Sequence, residues 1–222
     1  MPTLDRSDDV FVLDLGDTEN RFHPDWMAAV GAALDEVEHA EGPRALVVAA
    51  TGRFFSTGLD LDWLGAHPDR RDEHLHDVHA LLGRVLALPV VTVAALQGHV
   101  FAAGAMLSLA HDVRVMRADR GFWCLPEADI GLAFSPAMSA LIQARLAPRT
   151  AHEAMTTARR YGGTDALAAG VVDHAVAEDE VRATAVRLAA AQAGKAGPVL
   201  ATIKTRMYGP VLDLLRAPVA VG

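Results

Sequence analysis

The fold of this chain is decided by residues 55–61, FSTGLDL, read together with residues 98–106, GHVFAAGAM. Each of these turns directly follows an apolar run typical of a buried strand, at residues 45–50 and 90–96. Because small residues let the backbone approach a ligand closely, two such turns can direct two backbone N–H groups at one oxygen atom.

A third segment, residues 125–127 with the sequence LPE, bears on the chemistry. Its Glu127 is the one carboxylate in the three segments that is placed for proton transfer. Two N–H donors for an oxyanion and one base are the minimum set of groups that can form and quench an enolate.

The composition indicates a well-buried globular protein. The 222 residues suffice for one good core, and their 51% hydrophobic content argues against disorder. The formal net charge of −8 provides no basic face for nucleic acid or for an anionic membrane. An anionic ligand stays open, since a local group of arginines can still hold a phosphate.

The cysteine content and the absence of targeting signals favour a cytoplasmic location. The single cysteine, Cys124, excludes an internal disulfide and suits a reducing compartment. We find no signal-peptide pattern and no apolar run near the ~20 residues that span a bilayer. The C-terminal residues 218–222, PVAVG, are not a peroxisomal tripeptide signal.

Apolar periodicity predicts an α/β core followed by a helical part, with the change after residues 130–131. The predicted strands are residues 10–15, 45–50, 90–96, 113–116 and 171–176. The predicted helices are residues 24–40, 74–88, 103–110, 136–146, 151–159, 165–169, 180–193 and 199–207.

Three motifs in register resemble the enoyl-CoA hydratase/isomerase family, the crotonases. They are F-S-x-G-x-D-L at residues 55–61, the small-residue turn before the helix at residues 103–110, and P-E-x-x-I-G at residues 126–131. The likeness covers roughly residues 10–180. It is closest to the plant-type monofunctional enoyl-CoA delta isomerases.

The resemblance implies the α/β crotonase fold, a spiral of ββα units related to that of ClpP. By this likeness the spiral occupies residues 1–135, and a helical region that makes trimer contacts occupies residues 136–222. The implied assembly is a homotrimer or a dimer of trimers.

The resemblance also implies that two backbone N–H groups hold the carbonyl oxygen of an acyl thioester. The donors would be Leu59, just after Gly58, and Ala103, at the start of a helix where unpaired N–H groups favour negative charge. The family often has three glycines where this chain has Ala102-Ala103-Gly104. An alanine serves if its backbone angles tolerate a Cβ atom. Each turn could instead be an ordinary strand-to-helix connection.

The number of glutamates separates two reactions of the family. Its hydratases use two, and the position of the first falls here on Met106, whose thioether cannot accept a proton. The second matches Glu127, whose apolar surroundings would raise the pKa of its carboxyl. Asp129 is the one other candidate base, and a structural role suits it better.

One glutamate is the pattern of an isomerase that converts a 3-enoyl-CoA to a 2-trans-enoyl-CoA. That reaction belongs to fatty acid metabolism, as in β-oxidation, and needs no metal or redox cofactor, because coenzyme A is part of the substrate. Two alternatives stay open. One is another crotonase reaction on an acyl-CoA, such as hydration, thioester hydrolysis or decarboxylation. The other is a non-catalytic acyl-CoA-binding protein, and Glu127 could then be an exposed acid at a helix N-terminus.

Further side chains are candidates for substrate binding, although each apolar one could equally be core. Arg53 could meet the phosphates of the coenzyme, as could Lys204 or Arg206 from a neighbouring subunit, or all three could be surface charges. The candidates around the acyl thioester are Gly58, Asp60, Trp63, Phe101, Met106, Trp123, Leu132 and Phe134.

Three other signals receive no catalytic role. His74 is two residues from His76 and five from His79, separations that do not align side chains on one face of a helix, which favours a solvated helix face for the three histidines. Residues 65–73, GAHPDRRDE, are interpreted as a polar loop, either near the acyl pocket or simply solvated. Cys124 has no evident partner histidine and is expected to be a small buried hydrophobe.

Overall fold

The computed structural model describes residues 1–219, and residues 220–222, which include the C-terminal tripeptide, lie outside the described residues. The strands are β1 (Thr3–Ser7), β2 (Val10–Asp14), β3 (Arg21–Phe22), β4 (Ala45–Ala49), β5 (Phe54–Ser56), β6 (Gly58–Leu59), β7 (Val91–Leu96), β8 (His99–Phe101), β9 (Val113–Arg117), β10 (Trp123–Cys124) and β11 (His174–Val176). The helices are α1 (Pro24–His39), α2 (Leu61–Ala66), α3 (Arg71–Ala87), α4 (Ala103–Ala110), α5 (Glu127–Ile130), α6 (Pro136–Arg145), α7 (Pro148–Thr157), α8 (Gly163–Ala168), α9 (Val181–Ala190), α10 (Pro198–Met207) and α11 (Gly209–Arg216).

The largest sheet has six strands in the order β1-β2-β4-β7-β9-β11. Strand β1 is antiparallel to β2, and every other neighbouring pair is parallel. Strands β4 and β7 are continuous apolar runs because parallel strands covered on both faces have no solvent side. Two smaller parallel sheets, β10-β8-β5 and β3-β6, stand beside it.

Helices cover both faces of the six-stranded sheet. On one face α9 packs with Val181, Ala185 and Ala189, which its four-residue spacing places on one side of the helix. On the other face the core is formed by side chains of α1, α3, α4, α6 and α11. Between them the strands contribute residues alternately to the two cores, as the pleat requires.

The predicted α/β class is confirmed, and most predicted elements lie within one to three residues of those observed. Helix α4 has the predicted bounds. The boundary at residue 135, however, does not divide the core, since β11 completes the large sheet and α9 covers one of its faces. Within residues 1–219, none of the helices combines the length and the apolar character that crossing a bilayer requires.

The segment predicted as a polar loop, residues 65–73, is mostly helical. Helix α2 runs through Ala66, a 3-10 turn spans Pro68–Arg70, and α3 begins at Arg71. Capping explains the start of α2, because the Asp60 carboxylate accepts a hydrogen bond from the N–H of Trp63 at 3.1 Å. Pro68 stands at the first position of the 3-10 turn, where its fixed φ suits a helix.

The expectation of a solvated histidine face on α3 is wrong for two of the three residues. His74 and His79 are 3% and 2% exposed, and only His76 faces solvent. Helix α3 packs against α1, α4 and α11, so it has little free surface. Burial lowers the pKa of both buried imidazoles, which favours their neutral form.

The C-terminal part contains a helix, α11, that was not predicted. Its buried residues Val211, Leu212 and Leu215 pack on α3 and α6. Lys204 is buried rather than free to meet a phosphate, since its Nζ donates to the carbonyl of Val90 at 2.8 Å and to Asp112 at 2.6 Å.

Candidate active site

The three-stranded sheet β10-β8-β5 brings the three sequence motifs together. Its strands are parallel, so their carboxyl ends lie at the same edge. Leu59 lies three residues after the end of β5, Ala103 two residues after β8, and Glu127 three residues after β10. Segments far apart in sequence therefore converge at one site.

The two turns touch each other through backbone atoms. Gly58 has φ +85°, and a Cβ atom built on it would lie 2.6 Å from the backbone N of Ala103. A Cβ atom on Gly104 would lie 2.6 Å from the carbonyl oxygen of Ser56. Glycine at both positions thus lets the turn before Leu59 and the turn before Ala103 pack backbone against backbone.

The second turn carries backbone strain at Ala102. This residue stands before α4 with φ 52° and ψ −127°, a conformation that favours glycine. It is held there by a hydrogen bond from its N–H to the carbonyl of Cys124 at 3.1 Å, and its own carbonyl accepts from Met106. Ala103 is consequently the first helical residue, where N–H groups have no intrahelical partner.

Asn20 secures the first turn and was missed by the sequence analysis. The side chain is 2% exposed, and its Nδ2 donates to the carbonyl of Phe55 at 3.0 Å. Its own carbonyl accepts from the Ser56 hydroxyl at 2.8 Å, and the same hydroxyl accepts from the N–H of Gly58 at 3.1 Å. Its local hydrogen bonds to Thr18 and Gly16 do not point to the site, and its partners in the first turn lie about 35 residues away in sequence.

A cavity of about 520 Å³ opens at the point where the turns meet. Seven of the predicted residues line it: Leu59, Phe101, Ala103, Met106, Glu127, Leu132 and Phe134. The remaining lining residues are Thr57, Leu61, Leu64, Gly65, Pro68, Arg71, Leu75, Ala102, Pro126, Ile130, Ala133, Ser135 and Met138. The wall is predominantly apolar, as small-molecule sites usually are.

Glu127 is the first residue of α5 and is 7% exposed. Burial raises the pKa of its carboxyl to about 7, and a hydrogen bond from its own backbone N–H lowers the pKa by a smaller amount. Its buried Oε2 has no hydrogen-bond partner among residues 1–219. Of the described residues that line the cavity, Glu127 alone carries a carboxylate. A carboxyl with a pKa near neutrality can both accept and return a proton.

Five candidate substrate-binding residues lie outside the cavity wall, and one of them, Gly58, belongs to the first turn. Trp123 is a core residue, fully buried, and its Nε1 donates to Ser108 at 3.0 Å. Trp63 stacks on His67 with 4.5 Å between ring centroids, and Asp60 caps α2. Arg53 is exposed and lies over the ring of Phe54. Large aromatic residues near a motif are hard to assign to pocket or core without the packing.

The part of the chain that the structure describes has no group of side chains arranged as metal ligands. Residues 1–219 contain no cluster of three or more histidine, cysteine, aspartate or glutamate side chains that could hold an ion. Cys124 is a buried free thiol whose pKa burial raises to about 11, as expected of an inert core residue.

Comparison with known proteins agrees with this site. The family model described as enoyl-CoA hydratase/isomerase matches residues 6–218. The chain belongs to the enoyl-CoA hydratase/isomerase family. It is 36% identical to the Arabidopsis thaliana protein named enoyl-CoA delta isomerase 2, peroxisomal, over 97% of this chain and 95% of the relative. It is 37% identical to enoyl-CoA delta isomerase 3 of the same plant, over 94% and 92%.

Solved structures of the family share the fold. A Mycobacterium tuberculosis protein, named a probable enoyl-CoA hydratase in one structure, superposes with a TM-score of 0.90 and 29% identity, over 98% of this chain and 92% of that one. A second structure of the same protein, named an enoyl-CoA isomerase, gives a TM-score of 0.89, over 98% and 95%. The predicted crotonase fold is confirmed. The two structures carry different names, a hydratase and an isomerase, so the residues of the site have to distinguish the two reactions.

Relief of the strain at Ala102 is a direct test of the second turn. We expect Ala102→Gly to raise the free energy of unfolding by about 1 kcal/mol, since the ~1–3 kcal/mol strain exceeds the ~0.4–1 kcal/mol entropic cost of glycine. Urea denaturation measures the change. Ala105→Gly, inside α4, is the matched control and should be destabilising by about 1 kcal/mol. Equal destabilisation of both variants would contradict the strained conformation.

The raised pKa of Glu127 predicts a pH-dependent stability difference. A carboxyl that titrates near 7 when folded, against a reference value of 4.5, stabilises the fold below about pH 4.5 and loses that contribution as the pH rises through about 7. We therefore expect Glu127→Gln to be more stable than the parent by up to about 3 kcal/mol at about pH 8, and equal to it at about pH 4.

Thermal or urea unfolding at both pH values measures this difference. The exposed Asp129, two residues away on the same short helix, provides the control Asp129→Asn, which should leave stability unchanged. A Glu127→Gln variant that is less stable than the parent at the higher pH would contradict the burial argument.

Proposed function

We propose that this enzyme is an enoyl-CoA isomerase that converts 3-enoyl-CoA to 2-trans-enoyl-CoA. The observation that carries the proposal is the single carboxylate in a cavity where two backbone turns converge. Met106, buried one helical turn beyond Ala103, stands where a hydratase of the family has its other glutamate. The isomerases named among the relatives support the same reaction.

The reaction begins with the thioester carbonyl oxygen between the N–H groups of Leu59 and Ala103. The Glu127 carboxylate removes a proton from C2, and the electron pair of that C–H bond spreads over the thioester oxygen, C2 and C4 as a dienolate. The two N–H groups stabilise the negative charge on oxygen. Loss of one such donor typically costs about 3–4 kcal/mol of transition-state stabilisation.

The second half returns the proton at a different carbon. Protonated Glu127 delivers it to C4, the double bond settles between C2 and C3, and the carboxylate is regenerated. A pKa near 7 suits both halves, because the group is neither too weak a base nor too weak an acid. Since amides and one carboxyl supply every step, the proposal requires no metal or redox cofactor.

The assay uses 3-hexenoyl-CoA and follows conjugation by absorbance and product by mass. We expect conjugation to rise at unchanged mass, and Glu127→Gln to lower kcat by about 10²–10⁴-fold while still binding coenzyme A thioesters. Asp129→Asn is the control and should stay within about 3-fold of the parent, since that side chain is exposed and outside the cavity.

Other products would replace this proposal with a specific alternative. Added water on 2-hexenoyl-CoA would indicate a hydratase that works with Glu127 alone, and free coenzyme A would indicate a thioesterase. Binding without turnover of any thioester would indicate a non-catalytic acyl-CoA-binding protein.

The proposed assembly is a homotrimer, or a dimer of trimers, with contacts from residues 136–222. Support comes from α10, where Val199, Ile203 and Met207 are 74%, 49% and 63% exposed at a four-residue spacing that places them on one face. We expect sedimentation to give the mass of three or six chains for the parent protein. Ile203→Glu places a charge on the exposed apolar face of α10 and should lower the mass of the assembly. A monomeric parent protein would contradict the proposal.

The proposed location is the cytoplasm, for which the reduced, buried Cys124 is the support.

A further inference from the structure

A serine and a buried histidine form a polar pair beside the cavity. Ser135 lines the cavity just before α6, and its Oγ lies 2.9 Å from Nε2 of His79. His79 belongs to α3, whose residues Arg71 and Leu75 also line the cavity at the same four-residue spacing. This face of α3 therefore points toward the cavity, with His79 behind Ser135.

Helix capping accounts for the serine but not for the histidine. Ser135 Oγ accepts a hydrogen bond from the N–H of Met138 at 3.1 Å, as an N-cap residue does. That cap needs no further partner. His79 is 2% exposed, and a leucine or phenylalanine would fill the same space without burying polar atoms. The imidazole therefore serves the hydroxyl rather than the packing.

The hydrogen-bond inventory shows what the pair offers to a ligand. Burial lowers the pKa of His79, so the ring is neutral and carries one N–H. Its Nδ1 is buried and has no hydrogen-bond partner among residues 1–219. An unpaired nitrogen lone pair at this position costs less free energy than an unpaired N–H group would, so Nδ1 carries no hydrogen. The hydrogen then lies on Nε2 and is donated to Ser135. With N–H groups of Met138 and His79 on its two lone pairs, the hydroxyl keeps its own hydrogen to donate into the cavity.

We propose that Ser135, positioned by His79, donates a hydrogen bond to an oxygen atom on the acyl chain, so that the cavity selects hydroxy- or oxo-acyl-CoA thioesters. The inference rests on the proposed binding of acyl-CoA in this cavity. Once the thioester carbonyl occupies the amides of Leu59 and Ala103, the acyl chain must follow the remaining wall. Around Ser135 that wall consists of apolar side chains, including Leu75, Phe134 and Met138. The other side-chain donors that line the cavity are Thr57 and Arg71, so the position of the oxygen along the acyl chain decides whether it meets Ser135.

The test measures binding with saturated thioesters, which cannot be isomerised. Calorimetry gives the Kd of hexanoyl-CoA and of 4-, 5- and 6-hydroxyhexanoyl-CoA for the parent protein and for Ser135→Ala. We expect the ratio of Kd for hexanoyl-CoA to Kd for at least one hydroxylated thioester to fall by about 5- to 10-fold in Ser135→Ala, the value of one hydrogen bond. An unchanged ratio for all three positions would overturn the proposal.

Two variants separate recognition from helix capping. Ser135→Thr keeps both the cap and the hydroxyl, and should keep at least half of the parent's ratio. His79→Phe removes the positioning group while leaving the cap in place, and should lower the ratio at least 2-fold. A purely structural role predicts lower thermal stability in Ser135→Ala with the Kd ratio unchanged, because a ratio between two ligands does not depend on the folded fraction.

The outcomes for this inference and for the proposed reaction are distinct. A shifted Kd ratio without isomerisation of 3-hexenoyl-CoA would retain the specificity and reject the isomerase. Isomerisation with an unshifted ratio would retain the isomerase and reject the specificity. Failure of hexanoyl-CoA to bind would reject both.

Discussion

The site depends on one constraint, the parallel alignment of β5, β8 and β10 in a small sheet. Parallel strands end at the same edge, so the chain leaves each strand beside its neighbours. The turns that follow β5 and β8 then lie so close together that a Cβ atom on Gly58 would be 2.6 Å from the backbone N of Ala103. There is no room for a side chain at Gly58. The close approach of the two turns thus follows from the sheet and from the glycines.

Burial gives Glu127, the proposed base, its raised pKa, and burial has a cost. Glu127 follows β10 into an apolar wall, where the charged carboxylate loses hydration and its Oε2 finds no partner among the described residues. The same desolvation raises its pKa to about 7 and makes it a stronger base. Active sites commonly accept this conflict between stability and reactivity. Ala102 is a second instance, since it holds a strained backbone at the turn that supplies Ala103.

The family resemblance implied that Leu59, Ala103 and Glu127 share one site, and local patterns predicted the two turns and helix α4. Those features arise from nearest neighbours in sequence, such as glycine in a tight turn or an apolar run before it. Asn20 was missed because its hydrogen bonds join residues about 35 positions apart. The burial of His74 and His79 was also missed, since periodicity shows that a helix has an inner face but not how many neighbours cover it.

The hydrogen bond between Ser135 and His79 illustrates the same limit. Neither residue belongs to a motif, and 56 positions separate them in the chain. Their pairing depends on how α3 packs against the start of α6. A functional hydroxyl of this kind becomes visible only when the hydrogen-bond partners of each buried polar atom are counted.

The most direct test of the account is the pH dependence of kcat/KM with 3-hexenoyl-CoA, which reports the ionisation of the free enzyme. If buried Glu127 is the base, kcat/KM should rise with pH and level off above an apparent pKa of about 7. A rate that is already constant from about pH 5.5 upward would mean that the essential carboxyl titrates at its ordinary value, and that result would contradict the account.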